Sequence, residues 1–281
     1  MASKNRIASY SRFITWQIRQ FIKPGDRVCQ FVENSRLIIS KGMKGATGNI
    51  YCGLLEFEEM AFVLHFLRPG DLFGDIGANV GVYSILATKN AGARVIAVEP
   101  GLEAFQRLQQ NVEMNNVEDL AVLLNLGASS KEGKLPFTQN LDVVNHVPVD
   151  HELNQSQFTE ISVKPLDKIF EDEYPILLKI DVEGYEYDVL KGASELLASD
   201  RLLAIIIELN NSGMRYGRKD KDVHEMLKNM GFLPYRYEPF SRKLKRLESP
   251  GNFNTLYLRQ FDFIKSRLDS SRKFKVIGKT F

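Results

Sequence analysis

The rhythm of apolar positions changes once along this chain, near Asp71. Before it, apolar residues from Ile7 to Ile22 recur at helical spacing and stop at KPGD, predicting an amphipathic helix. RVCQFVEN and RLIISKGM predict a short hairpin, GATGN a loop, and LLEFEEMAFVLHFL a helix ending at Arg68-Pro69-Gly70. After it, apolar runs of strand length alternate with helical stretches. DLFGDIG is followed by GVYSILATKNAG, RVIAVEP by GLEAFQRLQQNVEMNN, PILLKIDVEG by YEYDVLKGASELLAS, and RLLAIIIELNN by KDVHEMLKNMG. LAVLLNLGAS reads as one further strand. RLLAIIIELNN is apolar nearly throughout, as a strand covered on both faces must be. FLPYRYEP and FNTLYLRQ have only a basic loop between them and predict an antiparallel pair at one edge. Lys131 to Ser162 is a long polar stretch with few helix signals.

This alternation predicts an α/β fold, a Rossmann-like doubly wound sheet that is mostly parallel. Residues 1–70 form a helix-and-hairpin cap, residues 71–262 the sheet domain, and residues 263–281 a basic C-terminal tail.

Charge adds a gradient. Lys and Arg number 37 against 35 Asp and Glu, a formal net charge of +2. Residues 1–50 carry nine basic against two acidic side chains, residues 241–281 eleven against three, and the middle seventeen against thirty. Basic ends on an acidic middle leave open a peripheral contact with anionic lipid or glycolipid, or with RNA. Solvated terminal segments are the plainer reading. Cys29 and Cys52 form no metal or redox motif and read as free thiols of a reducing compartment. RFITWQIRQFI is interrupted by Gln17, Arg19 and Gln20, and no apolar run is long enough to span a bilayer, so a cytoplasmic protein is expected.

The chemistry starts at DIGANVG. In doubly wound sheets ligands bind beyond the carboxyl ends of strands, where strand order reverses. A dinucleotide fingerprint is G-x-G-x-x-G. Here the spacing is Asp75, Gly77, Gly81, and Asn79 stands where the second glycine would be. An acid inside the turn opposes a pyrophosphate and suits a cationic ligand such as S-adenosylmethionine, which carries an ammonium and a sulfonium but no phosphate. Glu99, ending VIAVEP, is placed to accept hydrogen bonds from ribose hydroxyls. Asp181 ends LLKID in the same crevice and can hold substrate, orient the methionine moiety or ligate a metal. Glu183 and Glu186 follow at a helix start, where the helix dipole accounts for acids.

On these stretches the sequence resembles the FkbM-type family of S-adenosylmethionine-dependent methyltransferases, within the class I methyltransferase fold. The matching residues are DIGANVGVYSILA (75–87), VIAVEP (95–100), LDKI (166–169) and LLKIDVEGYEYDVLKGA (177–193). The resemblance implies a seven-stranded sheet with one antiparallel strand in the edge region. It implies cofactor contacts from Asp75, Gly77, Asn79, Gly81, Glu99 and Asp181, with Gly127 and Ala128 under the adenine. It also implies O-methylation of a hydroxyl on a sugar, a glycan or glycolipid, or another small metabolite. Residues 1–45 and those after Gln260 fall outside it.

Methyl transfer to oxygen needs alignment and loss of the hydroxyl proton. His146, in the polar stretch with His151, is the candidate base, with Asp181 beside the reacting groups. His65 and His224 fall in helical patterns and read as structural. A second route places Mg²⁺ among Asp181, Glu208, Asn210 and Asn211, and is not favoured. A nucleic-acid methyltransferase is disfavoured because DVEG replaces a proline-aromatic tetrapeptide and the basic ends lack interleaved aromatics. A non-catalytic cofactor-binding module is the other alternative. The first helix leaves a homo-oligomer open.

Overall fold

The computed structural model describes residues 6–40, 42–138, 145–149, 158–251 and 253–281. Helix α1 (Arg6–Ile22) leads into an antiparallel hairpin of β1 (Arg27–Gln30) and β2 (Arg36–Ile39), then helices α2 (Lys44–Cys52) and α3 (Phe57–Phe66). The alternating part runs β3 (Leu72–Ile76), α4 (Val82–Ile85), β4 (Arg94–Val98), α5 (Leu102–Asn115) and β5 (Ala121–Leu124). Strands β6 (Gly127–Ala128), β7 (Gly133–Thr138) and β8 (Phe158–Lys164) form a small sheet of their own. Then come α6 (Leu166–Ile169), β9 (Leu177–Ile180), α7 (Glu186–Lys191), α8 (Ser194–Ala198), β10 (Ala204–Glu208) and α9 (Asp220–Asn229). The described chain closes with β11 (Leu233–Glu238), β12 (Lys243–Arg246), β13 (Asn254–Leu258), α10 (Phe261–Asp269), β14 (Lys275–Val276) and β15 (Lys279–Thr280).

The main sheet has eight strands in the order β12-β11-β13-β10-β9-β3-β4-β5. Neighbours from β10 to β5 are parallel. Every residue of β3 and β9 is buried, and so are the first four of β10. Alternate side chains feed two cores: Phe73, Val95 and Ile206 on one face, Leu178, Ile180 and Ile207 on the other. That is the doubly wound α/β fold expected from the alternation.

Four details depart from expectation. The sheet has eight strands, not seven, because the basic loop contains β12, paired antiparallel with β11. Its KLKR sequence has no apolar alternation to reveal it, and such charge is how an edge strand avoids further pairing. The expected antiparallel pair does form, but β13 sits between β10 and β11, not at the edge. GATGN is not a loop: residues 46–49 are buried within α2, where the Asn49 side chain donates to the Gly45 carbonyl and accepts the Leu55 N–H. Lastly, the polar stretch holds β7 and β8, whose single apolar face (Phe137, Ile161, Val163) is too sparse to register in the sequence.

Trp16, Phe62, Phe66, Phe274 and Phe281 belong to the same buried cluster as Phe73 and Tyr237, so both ends of the chain share a core with the sheet. On α1 Trp16 and Gln20 point inward, whereas Ile14, Ile18, Phe21 and Ile22 are exposed. Among the described residues no helix is long and apolar enough to cross a membrane. Cys29 and Cys52 are free thiols.

Candidate active site

Strand order reverses at β3, which has β4 on one side and β9 on the other. The loop leaving β3 is tied to both neighbours. Gly77 and Ala78 N–H both donate to the Val98 carbonyl, at 2.9 and 3.0 Å, and Asp181 N–H donates to the Ile76 carbonyl at 3.0 Å. Gly77 has φ +77°, and a Cβ there would lie 1.8 Å from the Asp181 carbonyl oxygen. Asn79 is also left-handed, at φ +50°, which a short polar side chain tolerates when it bonds locally. Its Oδ1 accepts the Val80 N–H at 2.7 Å.

The Asn79 N–H donates to Oε2 of Glu99 at 2.8 Å, and the Gly101 N–H donates to Oε1 at 2.7 Å. Each Glu99 oxygen therefore holds one backbone donor and keeps capacity for another. Burial lifts this carboxyl to about 7 against the pull of those two donors, with Asp75 and Asp181 adding to the rise.

Around this loop lies a cavity of about 270 Å³. One end is apolar, with Gly127, Ala128, Phe137, Ile161 and Val163. The other end carries Glu56, Asp181, Glu183 and Glu208 with Lys179 and Tyr83. Lys179 Nζ lies 2.8 Å from Asp181 Oδ2 and 4.8 Å from the Tyr83 ring centre. Burial opposes its charge, but Asp181, Asp75 and Glu56 outweigh burial and hold its pKa above the ordinary lysine value. The Tyr83 hydroxyl donates to Glu56 Oε2 at 2.5 Å; burial and the nearby acids raise its pKa far above that of a free tyrosine. Burial, reinforced by Asp181, lifts Glu183 to about 7; burial with Asp181, Glu183 and Glu186 lifts Glu208 to about 8.

Of the residues singled out in the sequence, Gly77, Asn79, Glu99, Gly127, Ala128 and Asp181 line this cavity. Asp75 does not reach it. Its side chain lies inside the fold, 1% exposed, and Oδ2 accepts the Ser84 hydroxyl at 2.6 Å. Burial raises its pKa while Lys179 and Ser84 lower it. The acid of the turn thus bonds a hydroxyl inside the fold and feels the charge of Lys179, whose ion pair is with Asp181, and the cavity's own acids come from elsewhere in the chain. Gly81 is likewise structural: at φ +87° it packs where a Cβ would meet Leu108 at 2.5 Å.

His146 is buried and outside the lining, whereas its neighbours Asn145 and Val147 are part of it. The backbone here is tied to Thr138: the Thr138 N–H donates to the His146 carbonyl at 2.9 Å, and the His146 N–H to Thr138 Oγ1 at 2.9 Å. His151 lies outside the described residues. His65 and His224 are buried, each with its Nδ1 bonded to a tyrosine hydroxyl, Tyr237 at 2.6 Å and Tyr257 at 2.9 Å.

Glu186 serves its helix start, its Oε1 accepting the Gly184 N–H at 3.0 Å and the Val182 N–H at 3.3 Å. Glu183, expected to do the same, faces the cavity instead. Carboxylate oxygens of Asp181, Glu183 and Glu208 lie within 4.8 Å of one another. Asn210 and Asn211 are not among the residues lining the cavity; Asn210 Oδ1 accepts the Ser212 N–H at 2.9 Å, and the Asn211 backbone N–H donates to Asp220. Glu56, Tyr83 and Lys179 were not singled out in the sequence. A lysine inside the apolar run LLKI was the available signal, since a buried cation requires acidic company.

A doubly wound, mostly parallel sheet whose first loop meets buried carboxylates is consistent with a Rossmann-like methyltransferase fold. Residues 75–234 match the methyltransferase FkbM domain, more than half of the chain, and the protein belongs to that family. Among similar proteins, the hexuronic acid methyltransferase AglP of Haloferax volcanii is 27% identical over 172 residues, covering 61% of this chain and 67% of that protein. Methyltransferase sdnD of Sordaria araneosa is 27% identical, covering 50% of this chain and 66% of that protein. The crystal structure of methyltransferase FkbM from Methylobacillus flagellatus KT aligns with a TM-score of 0.45 at 18% identity, over 76% of this chain and 52% of that one.

Proposed function

We propose that this methyltransferase uses S-adenosylmethionine to methylate a hydroxyl group of a sugar, a glycan or glycolipid, or another small metabolite. The observation that carries the reading is Glu99: a buried carboxylate, set by two backbone N–H groups, whose remaining acceptor capacity suits a ribose diol. The rest of the cavity fits the same ligand. Gly127 and Ala128, with Phe137, Ile161 and Val163 beside them, offer a slot for a flat base. Gly77 lets the loop close onto Asp181. The acids at the far end complement an ammonium and a sulfonium. The bound cofactor supplies a methyl group already activated by the sulfonium. The chain's own work is then to align the acceptor and take its proton. Glu208 is the carboxylate placed for the proton: it lines the cavity, and burial brings it near the pH range in which a general base works. AglP is a sugar methyltransferase by name, which supports a glycosyl acceptor here.

The test is calorimetric titration with S-adenosylmethionine, S-adenosylhomocysteine and NAD, repeated with Glu99→Ala. Binding of the two adenosyl ligands but not NAD, weakened at least tenfold in the variant, is the expected result. NAD binding alone would overturn it. Adenosyl binding without transfer to any acceptor would make the chain a binding module.

A further inference from the structure

A second cleft, of about 960 Å³, opens beside the first. Leu55, Glu56 and Glu208 line both, so the two meet at a pair of carboxylates next to the cavity's acidic end. Its lining is of two kinds. Part is aromatic: Phe253 is 71% exposed and Phe240 56%, Tyr235 stacks on Phe261 at 5.6 Å, and Tyr237 is buried. Large rings left open to water beside an enzyme's reaction cavity are surface that a ligand covers. The rest is charged: Glu56, Glu58, Glu59 and Glu208, with Arg236 and Lys279. The Arg236 guanidinium is held by both oxygens of Glu58, with Nε at 2.7 Å from Oε2 and a terminal nitrogen at 2.5 Å from Oε1, so its charge is already matched.

We infer that this cleft binds the acceptor, and that the acceptor is an uncharged glycosyl unit that lays its C–H face on the aromatic lining and brings one hydroxyl to the seam at Glu56 and Glu208. This rests on the sugar-methylating reading above and narrows it. Carboxylates accept hydrogen bonds from hydroxyls and form strong charge-assisted bonds with them. An acceptor bearing its own carboxylate or phosphate would set like charges together in a partly dehydrated cleft, which is costly. The hexuronic acid acted on by the similar AglP therefore does not suit this chain.

The experiment pairs acceptors that differ only in charge: methyl gluco-, galacto- and mannopyranosides against the corresponding methyl hexuronosides. Binding is read by saturation-transfer NMR with S-adenosylhomocysteine present, and turnover by release of S-adenosylhomocysteine from S-adenosylmethionine. Expected are binding and turnover of at least one neutral glycoside, with kcat/KM at least tenfold above its hexuronoside at pH 8. Phe253→Ala and Phe240→Ala should raise KM at least fivefold, with kcat within about twofold and cofactor affinity unchanged. Glu59→Gln should narrow the neutral-over-acidic preference severalfold. Preference for the hexuronosides would overturn the charge argument, and unchanged KM in both phenylalanine variants would overturn the cleft. Cofactor binding without any glycoside bound would overturn the inference while leaving methylation of other metabolites standing. Failure to bind either adenosyl ligand would remove the underlying reading and this one with it.

Discussion

The Asp181 carbonyl oxygen occupies the place where a side chain on Gly77 would have to begin, 1.8 Å from the position of a Cβ. The loop after β3 and the end of β9 are thereby pressed together without any intervening side chain. A left-handed non-glycine residue costs about 1–3 kcal/mol by itself, and here the obstacle is backbone that cannot rotate away. Gly77→Ala should lower the melting temperature clearly and weaken S-adenosylhomocysteine binding more than tenfold. Gly133→Ala, with nothing within 4 Å of its Cβ, should change neither, as thermal denaturation and calorimetry would show.

Glu99→Gln tests the buried carboxylate without changing its shape. One of the two backbone donors, Asn79 or Gly101, would then face an NH₂ group. An unsatisfied buried donor costs about 1–3 kcal/mol, and tenfold in affinity corresponds to about 1.4 kcal/mol. Cofactor affinity should fall by roughly tenfold or more, with the fold retained by circular dichroism.

Acidity around the cavity sets a pH dependence. Burial raises Glu99 and Glu183 from an ordinary 4.5 to about 7, and Glu208 to about 8. Between those values the folded chain holds protons that the unfolded chain has released, so stability falls as pH rises. The ligand-free protein should lose melting temperature steadily from pH 5 to pH 8. A cationic ligand favours the ionised acids, so affinity for S-adenosylmethionine should rise over the same window. A melting temperature that climbs with pH would contradict this assignment.

Lys179 bears on metal dependence. Its ammonium, 2.8 Å from Asp181, supplies positive charge where three carboxylates converge. Methyl transfer should survive exhaustive EDTA treatment, and added Mg²⁺ should leave the melting temperature unchanged. Activity lost to EDTA and restored by Mg²⁺ would instead assign a metal to Asp181, Glu183 and Glu208.

His146→Ala should keep at least about a third of the wild-type kcat, because the ring lies outside the cavity lining. Glu208→Gln should lose at least a hundredfold if its carboxylate takes the proton, within the range ascribed to general-base catalysis. Steady-state rates at saturating cofactor would separate the two.

Much of the site was legible because its geometry admits few residues. Gly77 and Asn79 mark left-handed positions, and Glu99 and Asp181 end strands, where a doubly wound sheet presents its ligands. What escaped depended on distance or direction. Glu56 reaches the cavity from a helix start far back in the chain, and nothing local distinguishes it from Glu58. Asp75 was legible as an acid in a turn, but its inward orientation toward Ser84 and Lys179 is set by the packing of α4. The GATGN helix is imposed by burial of residues 46–49 against its intrinsic preference, and β12 is hidden by the charge that protects it.

The shared core at the two chain ends has a consequence for biosynthesis. Residues of α3 are covered by segments made about 200 residues later: Arg267 lies over the Phe66 ring at 5.1 Å, and Phe281 packs on His65 at 5.2 Å. At roughly 5–20 residues per second, that face waits roughly 10–40 s on the ribosome before its partners emerge. A nascent chain of this protein therefore carries an open apolar patch over α3 until residues 261–281 arrive to cover it.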